Sequence, residues 1–116
     1  MSLSFEEIIV DCTDFRALGH WWQEALGWDV VDEDDEGIEL LPASGRGPSL
    51  LFLDVPEKKT VKNRLHLDFV PDDQAAEVDR LIALGATRID VGQGEQSWVV
   101  LADPEGNEFC ILSARD

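Results

Sequence analysis

The sequence predicts an α+β fold: two tandem β-α-β-β-β modules forming a curved mixed sheet around a concave groove, with the helices on the convex side. Three observations carry this expectation. First, EEIIVDCTD (6–14) and a helical pattern ending in EALGWDVV are echoed half a chain later by LHLDFVPDD (65–73) and a helical pattern ending in IALGATRI. Second, Gly27 and Gly85 lie half the chain length apart, each after a leucine that closes a helix-period pattern, as left-handed C-terminal caps do. Third, the last two strand-like runs of each half are joined by hairpin turn chemistry, SGRGP in one and DPEGN in the other. The whole chain, 1–116, reads as one domain, with module one about 4–56, a connector about 56–63 and module two about 64–114.

Taken in order, the first strand alternates Ile8, Val10 and Cys12 against Glu7, Ile9 and Asp11, so the apolar row is the seat for the helix and the mixed row faces away. Thr13 or Asp14 caps the first helix, whose stripe is Phe15, Leu18, Trp22, Ala25 and Leu26; Trp21, Trp22 and Trp28 are read as helix packing. Strand signals follow in WDVVDED, GIELLPA and SLLFLDV. The acid run DEDDEG (32–37) lacks the spacing of a calcium loop and reads as a solvated turn. VPEKKTVKN is a short polar connector.

The second module repeats the pattern. Its first strand sets Leu65, Leu67 and Phe69 against His66, Asp68 and Val70, which makes His66 the repeat equivalent of Glu7. Asp72 or Asp73 caps the second helix, with Ala75, Val78, Leu81 and Ile82 as its stripe. ATRIDVG, SWVVLAD and EFCILSA supply the closing strands. In the last of these Phe109 and Ile111 point one way while Glu108, Cys110 and Leu112 point the other, into the groove. Glu7, His66 and Cys110 are thereby expected to meet on the groove side.

The totals bound the function. A hydrophobic content of 44% with no long apolar run predicts a soluble globular protein with neither signal peptide nor membrane span, by default cytoplasmic. Two cysteines, both in apolar strand-like stretches, predict reduced thiols rather than a disulfide framework. A formal net charge of −16 repels phosphate backbones and anionic lipid, so no nucleic-acid or membrane partner is expected; a cationic or neutral small ligand is electrostatically easier.

Three segments, LGHWWQEALGW, VPEKKTVKNRLHLDF and LADPEGNEFCIL, resemble the vicinal oxygen chelate superfamily, the glyoxalase, bleomycin-resistance and extradiol dioxygenase group, especially its glyoxalase-like branch. The resemblance covers nearly the whole chain. It implies a homodimer whose grooves take a small molecule, and in metal-using members a ligand from each of the first, fourth, fifth and eighth strands. Glu7 and His66 fall at the first and fifth of these. The fourth-strand position falls near Leu53, which cannot bind metal, and Cys110 stands where a glutamate is usual.

Two chemistries remain open for those residues. Glu7, His66 and Cys110 form a three-donor, one-water set acceptable to zinc, the thiolate arguing against magnesium or manganese. Alternatively no metal binds: Cys110 fills space, Glu7 and His66 pair, and the groove simply holds a ligand. Asp68 shares the inward row as a general base, or as an acid that is solvated or satisfied by a donor such as Arg64. Trp98 offers a flat wall to a ligand or belongs to the core. His20 reads as a helix-surface or interface residue, and Lys62, Asn63 and Arg64 either pin the connector or bind an anion. The function expected is small-molecule binding of the bleomycin-resistance type. Its alternatives are a metal-dependent lyase or isomerase acting on a vicinal-oxygen compound, and a metal-free epimerase or dehydratase using Asp68 or Glu7 as base.

Overall fold

A computed structural model describes residues 2–90 and 97–115. The chain divides into two compact units, Met1–Lys58 and Lys59–Asp116, with the boundary inside the predicted connector. In the first unit β1 (Glu7–Cys12), α1 (Phe15–Leu26), β2 (Asp29–Glu33), β3 (Gly37–Leu41) and β4 (Ser49–Asp54) follow in order. The second unit repeats the series with β5 (Leu67–Phe69), α2 (Gln74–Leu84), β6 (Thr87–Arg88), β7 (Val99–Ala102) and β8 (Glu108–Ile111). Each unit folds one four-stranded mixed sheet, in the orders β1-β4-β3-β2 and β5-β8-β7-β6. The first and last strands of each unit pair in parallel and the remaining pairs are antiparallel. The helix is the crossover that a parallel pairing requires.

Local chemistry sets the helix ends. Asp14 and Asp73 are the N-caps; each accepts a hydrogen bond from the backbone N–H three residues on, in preference to Thr13 and Asp72. Gly27 ends α1 at φ 68°, in the left-handed region that costs a Cβ-bearing residue energy. α1 packs on β1, β3 and β4, burying Phe15, Leu18, Trp22 and Ala25 of the predicted stripe together with Gly19. Trp21 sits edge-on to Trp22 with ring centroids 5.1 Å apart. Leu18, Ile38, Leu40 and Phe52 are fully buried; such a side chain contributes roughly 1.5–3 kcal/mol on leaving water.

The second helix departs from its expected face. Val78 and Leu81 are buried, but Ala75 and Ile82 are exposed, and half-buried Gln74 completes the inner stripe by donating to the carbonyls of Ile111 and Ser97. At about 100° per residue, positions 74, 78 and 81 cluster on one side of the axis while 75 and 82 lie roughly a quarter-turn round.

β5 is also shorter than expected. Its register with β8 pairs Leu67 with Phe109 and Phe69 with Ile111, which would set residue 65 opposite Asn107. Asn107 is held in the preceding turn by Asp103, so the ladder stops, and Leu65 is 88% exposed in a bend. β6 spans only Thr87–Arg88 of the predicted ATRIDVG, whose Val91 and Gly92 lie outside the described residues. The acid run 32–36 is exposed; within it Asp34 closes the turn by accepting from the N–H groups of Glu36 and Gly37. Among the described residues no helix is long and apolar enough to cross a membrane, and both cysteines are buried thiols outside any disulfide.

Candidate functional site

The alternation predicted for β8 decides where a ligand can sit. Phe109 and Ile111 point into the core of the second unit, where Phe109 meets Phe69 edge-on at 6.1 Å between centroids. Glu108, Cys110 and, just past the strand, Leu112 line a cavity of about 300 Å³ on the other face. Strand pairing then brings its neighbours. Cys110 lies between Asp68 of β5 and Val100 of β7 in one cross-strand row. His66, one residue ahead of β5, and Trp98, one residue ahead of β7, join them, with Lys62 from the connector completing the lining. Trp98 is 37% exposed, a wall rather than core.

Polar partners are distributed unevenly round this cavity. His66 Nε2 lies 3.7 Å from Asp68 Oδ1. Burial, reinforced by the neighbouring Asp68 carboxylate, pushes the Cys110 thiol pKa up to about 11, so it stays protonated. Asp68 stands beside His66 and Cys110 with 49% of its side chain exposed, and Arg64 is not among the residues lining the cavity. Glu108 is buried at 9% exposure. Its Oε1 accepts from Lys59 Nζ at 2.9 Å and its Oε2 from the Asn63 N–H at 3.0 Å, while Asn63 Nδ2 donates to its carbonyl. Burial works to raise the Glu108 pKa, but Lys59 and the backbone donors outweigh it and hold the carboxyl below its ordinary value.

Among the expected site residues, His66, Asp68, Cys110 and Trp98 come together within the second unit. Glu7 belongs to the first unit, half-buried at the start of β1 and in register with Ser49. Within the second unit the potential donor trio is His66, Asp68 and Cys110. The Lys59–Glu108–Asn63 lock was not foreseen, although a glutamate on the inward row of a buried strand signals that a cation must meet it. His20 lies on the surface of α1, its two ring nitrogens 3.1 Å from Gln23 Oε1 and 3.2 Å from Glu33 Oε2.

The profile of the glyoxalase-like domain family matches residues 7–112. The chain belongs to that family, within the vicinal oxygen chelate superfamily. A search of curated proteins gives no match. Solved structures give many. Oxidase ChaP-H2 is 22% identical at TM-score 0.71, with 99% of this chain and 96% of that one covered. TnmS3, an antibiotic binding protein from Streptomyces sp. CB03234, is 19% identical at TM-score 0.71, with 99% of both chains covered. The fosfomycin resistance protein FosX of Listeria monocytogenes, complexed with Mn(II) and sulfate, is 13% identical at TM-score 0.76, covering 99% and 93%. At these identities the likeness is one of fold.

The resemblance implies a four-donor metal centre in metal-using members, and the donors here fit one poorly. Leu53, near the fourth-strand position, carries no donor, and Cys110 stands at the eighth-strand position where a glutamate is usual. The nearest set is His66, Asp68 and Cys110, whose ligand atoms lie within 4.8 Å of one another. Donors sharing a tetrahedral zinc stand about 3.4–3.7 Å apart, so this trio would have to contract and expel the thiol proton. It does not reproduce a four-ligand centre.

Proposed function

We propose that this glyoxalase-like protein binds a small organic molecule in the second unit's cavity, against Trp98, without an intact metal centre and without turnover. The observation that carries the reading is the lining itself. An apolar wall of Trp98, Val100 and Leu112 faces a few convergent polar groups, His66, Asp68 and Lys62, in a volume of about 300 Å³. That combination, at the lower end of the size range of ligand sites, is how small-molecule pockets are built. Glu7 is proposed to contribute from the first unit as the repeat equivalent of His66, and the chain to act as a homodimer. Light scattering that returns a single monomer mass would contradict the latter.

Tryptophan fluorescence titrated against a panel of planar small molecules, cationic antibiotics included, tests the binding role. Saturable quenching is expected, lost in Trp98→Phe with the circular dichroism spectrum unchanged. A flat response across the panel would overturn it. The proximity of His66, Asp68 and Cys110 favours a second reading, a zinc-dependent lyase or isomerase. Stoichiometric zinc in protein purified without chelator, lost in both His66→Ala and Cys110→Ala, would establish that reading over the first.

A further inference from the structure

We infer that Lys62 recognises an anionic group on the ligand, so that the cavity selects aromatic or apolar carboxylates against cations of the same shape. This inference deepens the binding role proposed above and rests on it. It runs against the expectation drawn from the net charge of −16, which favours a cation.

Local pairing decides the matter. Of the charged groups lining the cavity, Glu108 is neutralised by Lys59 and fully engaged by Asn63. Asp68 faces His66 at 3.7 Å and keeps 49% of its side chain exposed, so water as well as the imidazole solvates its charge. The Lys62 ammonium is placed differently. Its hydrogen bond among the described residues is a 3.5 Å contact to the carbonyl of its own neighbour, Asn63, and it forms no ion pair there. It is nonetheless close enough to the cavity floor to oppose the rise in the Cys110 pKa.

The backbone that carries Lys62 is anchored one residue on, where the Asn63 N–H donates to Glu108, and Lys59 reaches the same carboxylate through its side chain, so the intervening lysine is held at the rim with its cation available. An anion seated against it forms a charge-assisted hydrogen bond while its ring lies on the Trp98 wall. The chain's wider negative field does not cancel this. Within the second unit the balance is less lopsided than in the chain as a whole, 11 acidic against 6 basic residues, and a contact pair is screened by salt much less than exposed charges at a distance.

Indole-3-acetate, tryptamine and tryptophol share one ring and carry a carboxylate, an ammonium and a hydroxyl. Titrated into the 15N-labelled chain, with the Trp98 indole N–H as reporter, indole-3-acetate is expected to bind at least about fivefold tighter than tryptamine, with tryptophol between them. Lys62→Met should abolish the preference by weakening indole-3-acetate while leaving tryptophol within about twofold, and Lys62→Arg should retain it. If tryptophol binds and tryptamine equals or exceeds indole-3-acetate, or if the preference survives in Lys62→Met, the anion site is wrong and the cavity stands. If none of the three moves the Trp98 signal, both the anion site and the ligand cavity fall.

Discussion

Replacing Glu108 with glutamine removes the charge at the centre of the lock while conserving its shape. In the native chain one carboxylate oxygen accepts from Lys59 at 2.9 Å and the other from the Asn63 N–H at 3.0 Å. Glutamine keeps one acceptor for Asn63 but turns an amide N–H₂ toward the lysine ammonium, donor against donor. Breaking a buried ion pair by removing one partner costs about 3–5 kcal/mol. The Lys59 side chain retains 20% exposure and can swing its charge into water, which places this case lower, at about 2 kcal/mol. For a chain of this size that lowers the melting temperature by about 8 °C.

The pH dependence has a defined sign. Because the Glu108 pKa is lowered in the folded chain, its stabilisation is fully present above the ordinary carboxylate value and is lost as pH falls through the folded value. Glu108→Gln should therefore flatten the acid limb of the stability profile. The assay is thermal unfolding followed by circular dichroism from pH 3 to 7 for the native chain, Glu108→Gln, Lys59→Met and the double variant. A drop of less than about 2 °C for Glu108→Gln at pH 7, or an additive double variant, would refute the lock.

Three further outcomes follow from the same geometry. Cys110 is 5% exposed with a pKa of about 11, so about one thiol in a thousand is ionised at pH 8; both cysteines should resist a thiol-reactive disulfide in the folded chain and react on unfolding in urea, and rapid native labelling would contradict this. Hydrogen bonds to Gln23 and then Glu33 raise the His20 pKa, so NMR titration should place it above 6.5; the accompanying stabilisation is present below 6.5 and lost as pH rises through the folded value, by at most a few tenths of a kcal/mol at this exposed site. A methyl group added at Gly19 would collide with the fully buried Ile38, so Gly19→Ala should destabilise by about 1–3 kcal/mol in chemical denaturation despite alanine's better helix propensity; a gain in stability would show that Ile38 yields freely.

What the sequence by itself determined was everything governed by short-range rules. Two copies of one strand-helix-hairpin pattern, helix caps narrowed to Thr13 or Asp14 and Asp72 or Asp73, a glycine stop at Gly27, and the in-out alternation of β8 each follow from residues within a turn or two of one another. That alternation was enough to send Cys110 and Glu108 to the cavity side and Phe109 to the core. Tertiary structure alone decided who meets them. The parallel register that sets Asp68 beside Cys110 joins strands some forty residues apart, and Lys59 reaches Glu108 across a similar separation. Which face α2 buries depends on how it lies on β8, so Gln74 displaced Ala75 and Ile82 from the inner side. Pairing energy between distant residues has no periodic signature in a single chain, because it is specified by register and packing rather than by spacing.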